Sequence, residues 1–181
     1  MAPSATSPAR NGSDVALDPT ILTLRKTLTT ETAPLALRFR ALFSLKHVAS
    51  QPEPQAVLAI QAIAAAFLSP SALLKHELAY CLGQTRNLAA VPYLRAVLED
   101  VDEDSMCRHE AAEALGALGD VSSLELLRQL RDSKEEVDVV RETCEIAVAR
   151  IEWEHSQERK AERLRQRYVM QQNEDCSLLI L

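Results

Sequence analysis

Two stretches of the chain repeat each other, and this repetition decides the fold. Residues 75–83 read KHELAYCLG, and residues 108–116 repeat the pattern as RHEAAEALG. Internal repetition at a period of about 20 to 50 residues is typical of solenoids, in which stacked units build one continuous core. Equivalent residues of neighbouring units then lie side by side on one face. The repeat therefore predicts stacked helical units that bring two His-Glu pairs into one neighbourhood.

The composition supports helices rather than sheets. Of the 181 residues, 47% are hydrophobic but only 4% are aromatic, and the chain has four glycines. Such a core consists of Leu, Ala, Val and Ile, which pack well between helices, whereas sheets favour aromatic and β-branched side chains. The length allows one repeat domain of four to five short units but hardly two independent domains. We therefore expect an all-α fold.

The repeat pattern extends to both sides of the two His-Glu units. In the preceding unit Phe39 aligns with His76, and Arg40 stands where Glu77 would be. In the following unit we align Arg141 with His109, one position short of the spacing between His76 and His109, so that no ligand pair is present there. The predicted domains are a disordered leader over 1–18, a repeat domain over 19–155, and a charged helix or linker with an atypical apolar tail over 156–181.

Charge and cysteine content limit the partners and the compartment. The net charge is −6 and the pI is near 5.3, which argues against nucleic acid or an anionic membrane as a partner. The four cysteines have no CxxC spacing, and neither a signal segment nor a membrane-spanning run is evident. We expect a cytoplasmic protein, with the nucleus as a second location. The acidic stretch 99–104 is expected to be a solvated turn, with a docking surface for a basic protein as the alternative.

The two His-Glu pairs are the candidate metal ligands. Packed helices lie about 8–10 Å apart, so His76, Glu77, His109 and Glu110 can converge on shared ions. Imidazole with carboxylate suits non-haem iron, whereas Cys81 and Cys107 are expected to be packing residues. The alternative is a buried His bonded to a Glu of the next unit without metal. Tyr80 and Glu113 are either supporting groups around the ligands or, respectively, packing and solvated residues.

Four ordered segments resemble a known family. They are LRFRALFSL at 37–45, SALLKHELAYCLGQ at 71–84, MCRHEAAEALGALGD at 106–120 and VRETCEIAVARIEW at 140–153. Over residues 20 to 155 the chain resembles the N-terminal half of the deoxyhypusine hydroxylases, which are di-iron monooxygenases built from HEAT-like repeats. The resemblance implies a short right-handed α-solenoid of HEAT-like helical hairpins. It also implies iron- and O₂-dependent hydroxylation of the deoxyhypusine side chain on a translation factor, which forms hypusine.

The same resemblance implies the site and its metal. His76, Glu77, His109 and Glu110 correspond to the iron ligands of the family's first half, and a complete family site holds two Fe(2+) ions with O₂ as co-substrate. A second half with two further pairs is not in this sequence, and we expect truncation, splicing or a gene-model error. A homodimer could supply the second half-site by symmetry.

Two other functions fit the same repeats. The first is a HEAT-like protein-interaction scaffold with a vestigial metal site. The second, which is weaker, is a HEAT-like lyase or chaperone for a tetrapyrrole, because those proteins share the style of repeat seen in ALGALGD at 114–120. Such proteins do not require paired His-Glu motifs, so the repeated pairs favour the hydroxylase.

Overall fold

The computed structural model of the chain describes residues 18–52 and 54–178, with side chains as far as residue 167. The leader expected over 1–18 lies outside the described residues except for Asp18. Within the described part the chain forms α-helices and short 3₁₀ turns and no strand, which confirms the all-α prediction. The helices are α1 Pro19–Thr29, α2 Leu35–Ala49, α3 Gln55–Ala64, α4 Ala72–Gln84, α5 Val91–Glu99, α6 Ser105–Leu118, α7 Leu124–Asp132, α8 Asp138–His155 and α9 Gln157–Leu178.

The helices pair into four consecutive hairpins, α1/α2, α3/α4, α5/α6 and α7/α8. The second helices of the hairpins form one layer, in which α4 packs against α2 and α6, and α6 packs against α8. Helix α9 follows and contacts α8. This stacking of hairpins is an α-solenoid, as the repeat predicted. No helix in the described ranges is both long enough and apolar enough to span a lipid bilayer.

Polar caps fix where the helices begin and end. The Ser71 side chain accepts a hydrogen bond from the Leu74 amide and starts α4. The cap of α6 is Asp104, whose carboxylate accepts from the Met106 amide. Ser105, the residue after this cap, is the first residue of the helix. Helix α6 ends at Gly119, which has a φ of 69° in the left-handed region that glycine adopts without steric cost.

The buried side chains define the register of the repeats. Leu74, Leu78 and Leu82 of α4 are 0% exposed and face the core at a spacing of four residues. Their equivalents in α6 are Cys107, Ala111 and Leu115, which are also buried. The same number of residues further along the chain, the buried positions of α8 are Val140, Cys144 and Val148. The alignment of Arg141 with His109 is therefore wrong by one residue. Because helical packing keeps the buried positions in phase, Glu142 is the equivalent of His109 and Thr143 is the equivalent of Glu110.

Buried basic residues tie neighbouring hairpins together. Arg108 Nε donates to the Leu98 carbonyl at 3.0 Å, and its two terminal nitrogens bind the Glu136 carboxylate at 2.7 and 2.5 Å. Burial alone would raise the pKa of Glu136, but hydrogen bonds from Arg108 and from the Val137 amide hold that pKa below its ordinary value of 4.5. The third hairpin is thus fixed to the loop between α7 and α8 of the fourth hairpin by a charge-assisted bidentate pair.

An equivalent pair joins Lys75 to the acidic stretch 99–104. Lys75 Nζ lies 2.6 Å from Glu103 Oε2, and the Glu103 side chain is only 10% exposed. The expected solvated turn describes Asp100 and Asp102, which are exposed, but not Glu103. The reason is that Glu103 occupies the same place relative to Lys75 that Glu136 occupies relative to Arg108, at the same separation along the chain in both cases.

Two glycines lie where stacked helices approach each other closely. A Cβ atom on Gly83 would lie 2.8 Å from Ala114 Cβ and 3.0 Å from Ala114 Cα. A Cβ atom on Gly116 would lie 2.9 Å from the same two atoms of Ala147. Since real Cβ atoms do not approach other atoms so closely, glycine sets the spacing of α4 from α6 and of α6 from α8.

We expect Gly83→Ala to lower the free energy of unfolding by about 1 kcal/mol. Overpacking against the Ala114 backbone costs about 1–3 kcal/mol, and the better helix propensity of alanine offsets about 1 kcal/mol of that cost. Urea unfolding followed by circular dichroism measures the change. Gln84→Ala, at an exposed position of the same helix, is the control. A Gly83→Ala protein more stable than the wild type would contradict the close approach.

Candidate metal centre

The two His-Glu pairs lie at the same distance from the start of their helices. His76 lies five residues after the cap Ser71, and His109 lies five residues after the cap Asp104. Because α4 and α6 pack side by side in register, both pairs face the same side of the solenoid. The capping residues therefore determine where the candidate ligands lie.

His76 links the two helices. Its Nε2 atom is 3.2 Å from Glu110 Oε2 on α6, and its Nδ1 atom is 3.6 Å from Glu77 Oε1 on its own helix. The structure thus places an imidazole between two carboxylates from neighbouring units. Three of the four sequence-predicted ligands, His76, Glu77 and Glu110, share one neighbourhood.

The fourth, His109, belongs to a cluster with Glu110 and a carboxylate that the sequence did not single out as a ligand. Ligand atoms of His109, Glu110 and Glu113 all lie within 4.8 Å of one another. Glu113 stands one helical turn after His109, and its Oε2 atom is 4.0 Å from His109 Nε2. The sequence offered Glu113 as a supporting group or a solvated residue. The geometry makes it a fifth candidate ligand, since a spacing of four residues keeps both side chains on one face.

A hydroxyl group on α8 orients the His109 ring. Thr143 Oγ1 lies 2.6 Å from His109 Nδ1 and donates its own hydrogen to the Val139 carbonyl at 2.7 Å. A hydroxyl has one hydrogen, so a Thr143 that donates to Val139 accepts the bond from the imidazole, which places the ring proton on Nδ1. The lone pair then resides on Nε2, the atom that faces Glu113. Metal-binding histidines commonly have their tautomer fixed in this way by a hydrogen bond to the other ring nitrogen. The sequence analysis did not identify Thr143. Its position in the repeat, equivalent to that of Glu110, could have indicated that it lies beside the candidate ligands.

Glu110 is the buried centre of the arrangement. Only 7% of the residue is exposed, and burial raises the pKa of its carboxyl. The positive charge of His76 opposes this shift, while the negative charges of Glu113 and Glu77 add to it. Negative charges around a buried carboxyl disfavour its ionised form, and a cation between the carboxylates would relieve this repulsion. Imidazole nitrogens with carboxylate oxygens form a donor set that fits a divalent ion such as ferrous iron.

The pKa shift predicts a pH-dependent effect of Glu110→Gln in metal-free protein. A carboxyl whose folded pKa is raised costs stability above that pKa, and this cost disappears below the ordinary pKa of 4.5, where both states are protonated. We therefore expect Glu110→Gln to be more stable than the wild type at neutral pH, by on the order of 1 kcal/mol, and the difference to vanish below pH 4.5.

Urea unfolding in the presence of a chelator, at neutral and at acidic pH, measures this difference. Glu113→Gln is the matched control, because the same change is made there at an exposed side chain of the same cluster. A Glu110→Gln protein that is less stable than the wild type at neutral pH would show that the carboxylate stabilises the metal-free fold.

The neighbouring thiols do not suit metal binding. Burial raises the pKa of Cys81 to about 12 and that of Cys107 to about 11, so both are protonated at neutral pH. Cys107 Sγ donates to the Ala72 carbonyl at 3.3 Å. Because the thiolate is the form that binds metals, these residues act in packing. Tyr80 is partly exposed, and Lys46 Nζ lies 5.5 Å from the centre of its ring.

A cavity of about 270 Å³ opens beside His109. Its lining combines ionic and apolar groups from α6 and α8, namely His109, Glu113, Gly116, Thr143, Ile146, Ala147 and Arg150. The candidate donors therefore lie next to a space that can admit a narrow side chain.

Comparisons with known proteins agree with this architecture. A family profile described as HEAT repeats matches residues 57–149. The deoxyhypusine hydroxylase of Neosartorya fischeri is 65% identical over 167 residues, which are 91% of this chain and 48% of that protein. The deoxyhypusine hydroxylase of Emericella nidulans is 69% identical over 150 residues, 82% of this chain and 45% of that protein.

A solved structure of human deoxyhypusine hydroxylase in complex with glycerol is also similar. It matches with a TM-score of 0.67 and 47% identity, over 74% of this chain and 44% of that chain. The chain thus spans about half the length of the curated relatives it matches.

Proposed function

The chain belongs to the HEAT-repeat family, and from this premise we propose that it supplies one half of the di-iron centre of a deoxyhypusine hydroxylase. The activity is the iron- and O₂-dependent hydroxylation of the deoxyhypusine side chain on a translation factor, which completes hypusine. The observation that carries the proposal is the contact of His76 with Glu110 across α4 and α6, beside the cluster that contains His109. The scaffold alternative is not favoured, since relatives at 62–69% identity are named as hydroxylases.

The candidate ligands divide into two groups. His76 and Glu77 come from α4, while His109, Glu110 and Glu113 come from α6. Bound ferrous iron would supply the capacity to activate O₂ for insertion into a C–H bond. In this reaction one oxygen atom enters the C–H bond and the other leaves as water, with two electrons and two protons from an external reductant.

The residues of this chain prepare the site in defined ways. Thr143 holds the proton on His109 Nδ1 and leaves Nε2 free as a ligand. Buried Glu110 gains most from a bound cation, because its ionised form is poorly solvated. The apolar wall of Ile146 and Ala147 beside Glu113 suits an aliphatic, cationic side chain such as that of deoxyhypusine.

The number of donors supports a paired assembly. This chain offers five candidate ligand side chains. Two iron ions together have more coordination positions than five side chains can fill. We propose that a second half-site completes the centre, and that a homodimer of this chain can provide it by two-fold symmetry. Both ions would then lie between two copies of the His-Glu face.

We also propose that the protein is located in the cytoplasm, with the nucleus as a second location. This proposal is supported by Cys81, Cys107 and Cys144, which are free and buried, as is common for proteins of reducing compartments.

The test combines metal content, molar mass and turnover on one preparation. The chain is purified without oxygen in the presence of ferrous iron, and iron is measured by elemental analysis together with light scattering. A protein substrate carrying deoxyhypusine is then incubated with air and a reductant, and mass spectrometry detects the gain of one oxygen atom. We expect iron in a dimer and oxygen-dependent conversion. An iron-free monomer without turnover would overturn the proposal.

A further inference from the structure

A second, larger cavity shares only Arg150 with the cavity beside His109. It has a volume of about 600 Å³ and is bounded by the segment that follows α4, the C-terminal ends of α6 and α8, and the start of α9. We call it the arginine pocket, because four arginines line it: Arg86, Arg150, Arg159 and Arg163. None of the five candidate metal ligands belongs to its lining.

The arginine pocket is strongly basic within an acidic chain. Its lining contains four guanidinium groups but a single carboxylate, Glu154, whereas the whole chain has a net charge of −6. Glu154 pairs with both Arg159 and Arg163, and Arg159 also pairs with Glu162, which lies outside the lining. The side chains of Arg86 and Arg150 have no ion-pair or hydrogen-bond partner among the described residues. The pocket therefore has positive charge that the fold does not neutralise.

One donor inside the pocket is unsatisfied. Arg159 Nε is buried and makes no hydrogen bond in the described part of the chain. Its nearest charged partner, Glu154 Oε2, lies 3.6 Å away, which is too far for a hydrogen bond. A buried N–H group without an acceptor costs free energy unless a ligand or water accepts from it.

The backbone at Arg86 gives an independent indication. Arg86 has a φ of 54°, in the left-handed region, and its equivalent in the third unit is Gly119, with a φ of 69°. Glycine adopts this conformation without cost, whereas other residues usually do not. The third unit thus shows that glycine satisfies the fold at this position. In the second unit Arg86 occupies this position, and its side chain lines the pocket. Non-glycine residues in this region are concentrated at functional sites.

From these observations we propose that the arginine pocket binds a small anion with several phosphate groups, such as a pyrophosphate-bearing metabolite. Planar guanidinium groups bind phosphate oxygens in pairs, and several of them around one cavity match closely spaced negative charges. Arg86 and Arg150 supply the uncompensated charge, and Arg159 Nε supplies a donor that lacks an acceptor. The size of the cavity suits a small molecule. None of the groups that would bind the anion is a candidate iron ligand, and the inference does not rest on the hydroxylase proposal.

The test is isothermal titration of the metal-free chain with inorganic pyrophosphate at low ionic strength. We expect saturable binding that weakens at least about tenfold in Arg86→Gly, since a charge-assisted contact is lost. Arg86→Gly also removes the cost of a left-handed backbone conformation at a non-glycine residue. The melting temperature of this variant should therefore equal or exceed that of the wild type. Loss of binding in a fully folded variant separates ligand recognition from a structural role. Arg25→Gln, at an exposed position on α1, is the charge-matched control and should bind like the wild type.

Three outcomes would overturn the proposal. They are no binding of pyrophosphate by the wild type, equal binding by Arg86→Gly, and binding of citrate or an oligoglutamate peptide as tight as that of pyrophosphate. The last outcome would mean that the pocket recognises carboxylates instead, as in an acidic protein segment.

Discussion

His76→Ala and His109→Ala are each expected to abolish the retention of iron while leaving the helix content almost unchanged. His76 Nε2 is the nitrogen that meets buried Glu110, and His109 Nε2 has the lone pair that Thr143 leaves available. Loss of a group that merely supports a ligand typically weakens metal binding about 10- to 100-fold. Removing a ligand itself should exceed about 100-fold. Neither histidine is fully buried, so truncation leaves no large cavity in the core.

The measurement is iron per chain after gel filtration under nitrogen, with far-ultraviolet circular dichroism of the same samples. His47→Ala, an exposed histidine on α2, is the matched control and should retain iron like the wild type. Equal iron in the wild type and both site variants would refute the ligand assignment. Equal loss in His47→Ala would show that iron binds nonspecifically.

Arg108→Ala is expected to lower the free energy of unfolding by about 3–5 kcal/mol. The side chains of Arg108 and Glu136 are only 5% and 6% exposed, so the variant leaves a carboxylate buried without its partner. It also leaves the Leu98 carbonyl without the Arg108 donor. Since a domain of this kind has a total stability of about 5–15 kcal/mol, this single change removes a large share of it.

The matched control is Arg128→Ala, which breaks the exposed pair with Glu152 and should cost at most about 1 kcal/mol. Urea unfolding of both variants measures the difference, and Arg108→Lys tests whether a single ammonium restores part of the loss. The pair holds the pKa of Glu136 low, so its contribution exists above pH 4.5 and is lost as pH falls through the folded pKa. The gap between wild type and Arg108→Ala should therefore narrow in acid. A gap of the same size at neutral and acidic pH, or equal losses in the two variants, would contradict this account.

The repeat was sufficient to predict the helices, the solenoid and the neighbourhood of the His-Glu pairs. The reason is that buried positions such as Leu78 and Ala111 must recur in phase when hairpins stack, and the motif carries that phase directly. In the fourth unit the Arg-Glu dipeptide imitates the His-Glu motif one residue out of phase. The sequence alignment followed that dipeptide, whereas the burial of Val140 and Cys144 gives the true register.

The error in register explains why Thr143 was not found. When Arg141 is aligned with His109, Thr143 corresponds to no ligand position, but in the true register it is the equivalent of Glu110. Glu113 and Glu103 were missed for a different reason. Charged residues on a helix face and in an acidic loop have the same sequence pattern whether they are solvated or paired. Only the position of Lys75 relative to Glu103, and of His109 relative to Glu113, distinguishes these cases.

The bond between Thr143 and His109 means that the smallest competent unit is larger than its set of ligands. A fragment that ended before α8 would keep every candidate donor but would release the His109 ring to exchange tautomers and rotate. The fourth hairpin contributes no candidate ligand, but its Thr143 holds the His109 ring of the third hairpin in one orientation. In a repeat protein each unit is stabilised by its neighbours, and here the same dependence extends to the protonation of one nitrogen.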